Sequence, residues 1–218
     1  MMFQTKLFTF ICILSIVISS CAQPIKKNAN SKFNHNMNSN NSKLDTITLA
    51  AGCFWCTEAV FQRLKGVDTV FSGYTGGDIE NPTYKQVCTG TTGHAEAIQV
   101  IFDPAIISVT DLLHVFFKTH DPTTVNQQGN DHGTQYRSGI FFHTPEQEQI
   151  AQNVIAEMNK EQVFDAPIVT EVTPFSIFYS AEDYHQNFYN NNQEYGYCRI
   201  VINPKLDKLE KYFKDKLK

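Results

Sequence analysis

The stretch of sequence that decides the fold is residues 46–64, TITLAAGCFWCTEAVFQRL. Residues 46–50 alternate polar and apolar side chains, and this alternation predicts a strand. Residues 57–64 have a helical pattern, and Gly66 is a stop signal for that helix. The two cysteines of the stretch, Cys53 and Cys56, therefore lie at a junction from strand to helix.

Outward from this junction, strands and helices are mixed without a strict alternation, which predicts an α+β fold with helices packed on one mixed sheet. We expect further strands at residues 67–74, 96–102, 138–143 and 169–173. Capping residues and proline predict helices that begin near residues 108, 144, 180–183 and 204. Residues 120–137 show no clear periodicity, and a loop of that length in a compact domain is usually functional or disordered.

Length and composition limit the classes of protein to consider. The chain has 218 residues, of which 42% are hydrophobic, so it is long enough for one domain with a real core plus appendages. Residues 1–44 contain five Lys and no acidic residue, which leaves residues 45–218 with a net charge of −9. This acidic domain argues against a nucleic-acid ligand and, through charge repulsion, favours a monomer.

The first 44 residues are interpreted as a targeting signal followed by a flexible tether. A basic start and a short apolar run predict a signal peptide over residues 1–20, and residues 18–21, ISSC, resemble a bacterial lipobox. Lipidation of Cys21 would anchor the chain to a membrane of the bacterial cell envelope. The Asn-rich residues 21–44 are predicted to be a disordered tether, and residues 45–218 a catalytic domain.

The Cys-x-x-Cys pair predicts redox chemistry. A helix N-terminus favours the thiolate form of a cysteine, so we expect Cys53 to be a nucleophile and Cys56 to be able to resolve it. A zinc site needs about four ligands, and the sequence has no second such pair. A structural disulfide would close only a small loop. Chemistry alone leaves two interpretations, a thioredoxin-like dithiol protein or an enzyme that reduces an oxidised substrate.

A series of short strings, taken in order, resembles the peptide methionine sulfoxide reductases of type A. The strings are residues 52–58 (GCFWCTE), 73–77 (GYTGG), 81–84 (NPTY), 87–90 (VCTG), 93–96 (GHAE), 120–124 (HDPTT), 129–131 (GND), 133–138 (GTQYRS) and 181–186 (AEDYHQ). Each string is weak alone, but the ordered series covers nearly all of residues 46–200. It favours the reductase over the thioredoxin-like interpretation, which would also expect a Trp before the cysteine pair.

The resemblance implies a two-layer sandwich that reduces the S epimer of methionine sulfoxide, in oxidised proteins and as the free amino acid. It assigns the nucleophile to Cys53 and the acid that protonates the departing oxygen to Glu96. The residues it implies for substrate binding are Tyr84, Asp131 and Tyr136 as polar groups around the sulfoxide oxygen, and Phe54 and Trp55 as aromatic walls around the methyl group. A non-catalytic lipoprotein that uses the fold as a binding module is the remaining alternative.

The resemblance leaves the resolving cysteine open. Some relatives have Cys at the position of Cys56, and others resolve with a cysteine near the C-terminus, where Cys198 stands. We expect Cys56 to act first, with Cys198 as a second resolver or a structural residue, and Cys88 to be a buried hydrophobic side chain. We expect no bound cofactor or metal, and regeneration by a thioredoxin-like or other dithiol reductant.

Overall fold

A computed structural model describes residues 44–218. The predicted signal peptide at residues 1–20, the lipobox cysteine Cys21 and the tether up to residue 43 lie outside the described residues. Within residues 44–218, no helix has both the length and the apolar content that crossing a bilayer requires.

The centre of the domain is a six-stranded sheet. Its strands are β1 (Asp45–Ala51), β2 (Val67–Thr75), β3 (Ala95–Phe102), β6 (Ser138–Phe142), β7 (Glu171–Pro174) and β8 (Phe178–Ser180). They are ordered β7-β6-β1-β3-β2-β8, and only the β6–β7 pair is parallel. The sheet is therefore mixed, as predicted. Two short strands, β4 (Gln127–Gln128) and β5 (Asp131–His132), pair separately.

Helices pack on this sheet. They are α1 (Phe54–Phe61), α2 (Tyr84–Val87), α3 (Val109–Thr119), α4 (Pro145–Lys160), α5 (Phe188–Asn191) and α6 (Asn203–Phe213), with a π-helix at Cys198–Ile202 directly before α6. The main core lies between α1, α3 and the sheet, where Ile47, Leu49, Phe61, Val100 and Phe116 are fully or almost fully buried. This arrangement confirms the predicted α+β fold of one mixed sheet with packed helices.

Several helix starts follow from local sequence. Ser108 and Asp111 form a reciprocal capping box at the start of α3, and the Thr144 hydroxyl accepts the Gln147 N–H at the start of α4. Pro145 occupies the first turn of α4, where its missing N–H costs nothing. These are the signals on which the sequence prediction of both helices rested, and both helices are confirmed.

The predicted helix over residues 180–192 is wrong. Ser180 ends strand β8, a 3₁₀ turn follows at Asp183–His185, and only the four residues of α5 are helical. Asn187 has a left-handed backbone with φ 54°, which interrupts any continuous helix. Its backbone N–H donates to the carboxylate of Glu58 on α1 at 2.9 Å, so a tertiary contact stabilises this break.

Candidate active site

The turn from β1 to α1 places two thiols at the start of the helix. Gly52 has φ 81°, and a Cβ atom there would lie 2.5 Å from the Gln128 side chain. Only glycine fits both the backbone conformation and this approach. Cys53 then takes the N-cap position of α1, and Cys56 lies within the first turn. The Gln128 side chain accepts the backbone N–H of Asp121 and donates to the carbonyl oxygen of the same residue. These two hydrogen bonds close the loop over residues 121–128, which packs against the turn at Gly52.

The two thiols are buried, unbridged and hydrogen-bonded to each other. Burial, the contact with Cys56 and the nearby Glu96 all raise the pKa of Cys53 well above its ordinary value. The hydrogen bond from Cys53 lowers the pKa of Cys56 to about 7. In this state the negative charge is therefore favoured on Cys56 rather than on Cys53, because burial and the adjacent carboxyl group of Glu96 disfavour the Cys53 thiolate.

Glu96 lies next to the thiols on β3 and is 1% exposed. Its Oε2 accepts the backbone N–H of Phe54 at 3.1 Å, at the start of α1. Burial raises the pKa of Glu96 to about 8, and this effect exceeds that of the hydrogen bond, which lowers it. A carboxyl group with this pKa is largely protonated at neutral pH and can donate a proton.

Three polar groups that the resemblance implies for the sulfoxide oxygen surround Glu96. Tyr84 lies on α2, Tyr136 ends a 3₁₀ turn, and Asp131 lies on β5. Glu96 interacts electrostatically with all three. Burial is the main reason that the pKa values of both phenols lie far above the ordinary value, so they remain hydroxyl donors.

Tyr197 also belongs to the site, although sequence reasoning assigned it no role. Its hydroxyl donates to Asp131 Oδ2 at 2.7 Å and lies 3.8 Å from the Cys56 Sγ atom. It also contacts Cys53 through a side-chain hydrogen bond. This phenol therefore connects both thiols with the loop that carries Asp131.

An aromatic wall stands beside the thiols. Phe54 is 1% exposed and packs on Tyr84 with ring centroids 6.4 Å apart. The half-buried Trp55 stacks on Phe188, with centroids 3.7 Å apart and planes 6° apart. The indole N–H of Trp55 donates to His185 Nδ1 at 3.0 Å. The wall is thus assembled from the start of α1 and from residues about 130 positions later.

Glu182 fixes Tyr84, on the side of the aromatic wall opposite Trp55, and the neighbouring Tyr74. Its Oε1 accepts the backbone N–H of Tyr84 at 2.9 Å, and its Oε2 accepts the Tyr74 hydroxyl at 2.9 Å. Glu182 and His185 both lie in the string at residues 181–186, and sequence reasoning assigned neither of them a role. Two features of this string could have indicated a role in the site. It is the last matching string before Cys198, and it lacks the apolar periodicity of a core element.

The remaining cysteines differ from each other in exposure. Cys198 is fully buried in the π-helix, and burial followed by the charge of Cys56 raises its pKa, so it lies on the Cys56 side of the site. Cys88 is exposed, and the expectation of a buried hydrophobic side chain is wrong. It follows the short helix α2, whose buried position is Val87 instead. Its thiol hydrogen-bonds Tyr84 at the edge of the site.

The structure therefore brings eight predicted residues together in one cluster around the thiols and places the ninth, Cys198, on the Cys56 side of that cluster. Within residues 44–218, no group of three or more His, Cys, Asp or Glu side chains could hold a metal ion. Two cavities of about 520 and 500 Å³ lie along α3 and α6, lined among others by Lys118, His120 and Lys208, and neither contains a predicted site residue. A thiol pair, a protonated carboxyl group and phenol donors together can accept an oxygen atom from a polarised substrate.

Known proteins with similar sequences belong to one family of enzymes. Residues 45–217 match the family described as peptide methionine sulfoxide reductase. A peptide methionine sulfoxide reductase MsrA of Deinococcus radiodurans is 59% identical over 169 residues, which are 78% of this chain and 82% of that protein. The MsrA of Saccharolobus solfataricus is 54% identical over 175 residues, 80% of this chain and 98% of that protein.

Solved structures are similar as well. The reduced form of Mxr1 from Saccharomyces cerevisiae has a TM-score of 0.67 at 35% sequence identity, covering 77% of this chain and 96% of that one. Methionine sulfoxide reductase A of Corynebacterium diphtheriae also has a TM-score of 0.67, at 34% identity, over 71% of this chain and 77% of that chain.

Proposed function

This chain belongs to the peptide methionine sulfoxide reductase family and is an enzyme that reduces methionine sulfoxide, and we propose that it reduces the S epimer through a sulfenic acid on Cys53. The observation that carries this mechanism is the buried Glu96 carboxyl group, with a pKa of about 8, beside the Cys53 thiol. Methionine sulfoxide is a common oxidative lesion of proteins, so the reaction repairs oxidised proteins.

In the first step, Cys53 attacks the sulfoxide sulfur as a thiolate. The Cys56 thiolate is hydrogen-bonded to Cys53 and takes its proton. Glu96 donates a proton to the sulfoxide oxygen, while the Tyr84 and Tyr136 hydroxyls stabilise the charge that develops there. The bond that the attack forms between the two sulfur atoms then breaks as the protonated oxygen transfers from the substrate sulfur to the Cys53 sulfur. The substrate sulfur has gained two electrons and leaves as a thioether, and the Cys53 sulfur has lost two and carries the oxygen as a sulfenic acid.

In the second step, Cys56 resolves the sulfenic acid. Its sulfur attacks the Cys53 sulfur, a disulfide forms, and the oxygen leaves as water. We favour Cys56 over Cys198 because Cys56 contacts Cys53 directly and has the lower pKa, whereas burial raises that of Cys198. Cys198 then serves as a second resolver that can attack the Cys56 sulfur and release Cys53.

Turnover requires two electrons from outside the chain. We propose a thioredoxin-like dithiol as their source, since a dithiol can reduce the enzyme disulfide by exchange and become a disulfide itself. The resemblance to the family supports this reductant. Trapping mixed disulfides from cells that express Cys56→Ser is the measurement, and recovery of no thioredoxin-fold protein would count against it.

The function is tested with the full-length chain, dithiothreitol and a peptide that carries both epimers of methionine sulfoxide. Chromatography that separates the epimers is expected to show loss of the S epimer and at least about 100-fold slower loss of the R epimer, because the pocket is chiral around the sulfur. Equal loss of both epimers would contradict the assignment. Reduction of insulin disulfides in place of either epimer would favour a dithiol oxidoreductase instead.

Replacement of each candidate resolver tests the order of the thiols. With one equivalent of substrate and no reductant, Cys198→Ser is expected to release one methionine and form the Cys53–Cys56 disulfide. Cys56→Ser is expected to release methionine but to form the disulfide at least about 10-fold more slowly, since Cys198 must first leave its buried position. Mass spectrometry of the trapped thiols checks both results. A normal disulfide rate in Cys56→Ser and none in Cys198→Ser would reverse the order.

We also propose that the enzyme is monomeric and attached to a bacterial membrane through lipid on Cys21. The lipobox-like residues 18–21 and the Asn-rich residues that follow support the anchor, and the charge of −9 on residues 45–218 supports the monomer. Labelling with a radioactive fatty acid decides the first point, with Cys21→Ser as the control that should lose the label. Sedimentation of the purified chain decides the second.

A further inference from the structure

The imidazole of His185 occupies the centre of the aromatic wall. It is 1% exposed, and four aromatic rings surround it at centroid distances between 4.2 and 5.6 Å. The four rings belong to Tyr184, Tyr84, Phe54 and Trp55. Three of these four were assigned above to substrate binding, so a change at His185 reaches the substrate pocket through them.

The hydrogen bond to Trp55 fixes the protonation of this ring. Nδ1 accepts the indole N–H at 3.0 Å, so Nδ1 carries no proton and the hydrogen of the neutral ring lies on Nε2. Nε2 has no hydrogen-bond partner among the described residues, and the nearest carboxylate oxygen, Glu182 Oε2, is 4.0 Å away. Of the two ring nitrogens, only Nδ1 therefore makes a hydrogen bond, and that bond goes to Trp55.

Trp55 is held from two sides by one short segment. His185 binds the indole N–H, and Phe188 stacks on the ring face at 3.7 Å. The segment itself is fixed to α1, because the Glu58 carboxylate accepts the backbone N–H groups of Asn187 and Phe188 at 2.9 and 3.2 Å. With one face covered and the N–H directed, the indole is restricted to a single orientation.

We propose that His185 is a specificity-determining residue, which orients Trp55 so that the pocket accepts a methyl group on the sulfoxide sulfur and rejects a longer alkyl group. The inference rests on the proposed function, in which Trp55 forms a wall around that methyl group. His185 acts through Trp55 and is therefore a positioning residue. Its effect is on the shape of the pocket, since no proton of His185 takes part in the reaction.

Two amide substitutions separate this role from mere packing. The side-chain oxygen of His185→Asn lies at the depth of Nδ1 and can accept the indole N–H. That of His185→Gln lies at the depth of Nε2, directed away from Trp55. The full-length chain of each variant is assayed with methionine sulfoxide and ethionine sulfoxide. We expect Asn to keep the wild-type ratio of kcat/KM for methyl over ethyl substrate, and Gln to lower that ratio about 10-fold.

Fluorescence gives a readout that does not depend on activity, because Trp55 is the only Trp of the chain. Its emission maximum is expected to shift in His185→Gln and to stay at the wild-type value in His185→Asn. His94→Gln is the matched control, since His94 is also 1% exposed and binds the backbone of Gly77 and Ile79 instead. It should leave the emission unchanged.

The outcomes separate this inference from the proposed function. Unchanged emission and unchanged selectivity in His185→Gln would overturn the role of His185, and so would equal losses in the Asn and Gln variants while both are folded. A shifted emission in Gln alone, with a wild-type chain that reduces neither sulfoxide, would support the contact and refute the proposed function. A loss of selectivity in Gln with rescue in Asn supports both.

Discussion

Cys53→Ser is expected to lower the rate of methionine sulfoxide reduction by about 10⁴-fold or more. A serine hydroxyl ionises far less readily than a thiol, and its oxygen cannot form a sulfenic acid or a disulfide. The variant should therefore fail in both steps of the reaction. Initial rates with the S epimer and dithiothreitol measure the loss, and trapping with a reagent for sulfenic acids should give no adduct at position 53.

Cys88→Ser is the matched control for this substitution. Cys88 is an exposed thiol that takes no part in the proposed transfer of oxygen, and a serine at its position can keep the hydrogen bond to Tyr84. This variant should retain most of the wild-type rate and form the same sulfenic acid adduct. More than a tenth of the wild-type rate in folded Cys53→Ser would refute Cys53 as the nucleophile.

Glu96→Gln has the second largest expected effect, a loss of about 10²- to 10⁴-fold in the first step. Glutamine keeps the shape and can still accept the Phe54 N–H, but it has no acidic proton for the departing oxygen. Rapid mixing with one equivalent of substrate, which isolates the first step, is the measurement. A rate within about threefold of the wild type would show that the proton comes from elsewhere.

The pH dependence of this first step should be bell-shaped in the wild type. The rate is expected to rise as the pH passes about 7, where Cys56 loses its proton and can accept that of Cys53. It should fall above about 8, where Glu96 loses the proton that it must donate. Glu96→Gln should lose the falling limb and keep the rising one, a change that simple misfolding would not produce.

Stability gives an independent check on the same carboxyl group. Folding raises the pKa of Glu96 from 4.5 to about 8, so the folded state binds this proton more tightly than the unfolded state. Its contribution to stability is therefore complete below pH 4.5 and is lost as the pH rises through 8. Between pH 5 and pH 9, the free energy of unfolding measured with denaturant should therefore decrease less in Glu96→Gln than in the wild type.

Local sequence signals were sufficient for most of the fold. The alternation over residues 46–50 and the caps at Ser108 and Thr144 predict elements that the structure contains, because each is stabilised mainly by neighbours in the sequence. The helix α2 was missed since its four residues are too few to show a period. The same brevity hid the exposure of Cys88, which directly follows α2.

The parts of the site that could not be predicted depend on distant partners. The break at Asn187 is stabilised by Glu58, and the role of Tyr197 is visible only when Asp131 and Cys56 lie beside its hydroxyl. Nothing in the spacing of these residues brings them together. For the thiols, the sequence correctly placed the pair at a helix start, but burial beside Glu96 decides which of them carries the charge.

The contacts that complete the pocket have a consequence for how the chain acquires its reactivity. Trp55 and His185 are 130 positions apart, Glu58 and Asn187 are 129 apart, and Cys56 and Tyr197 are 141 apart. Contacts between such distant positions require the closure of long loops, which makes them slow to form. The first strand and the thiol-bearing helix are synthesised early, whereas the segment that encloses them is among the last to emerge. Until that segment docks, Trp55 lacks the hydrogen bond to His185 and Cys56 lacks the contact with Tyr197, so the site is completed only after nearly the whole chain has been synthesised.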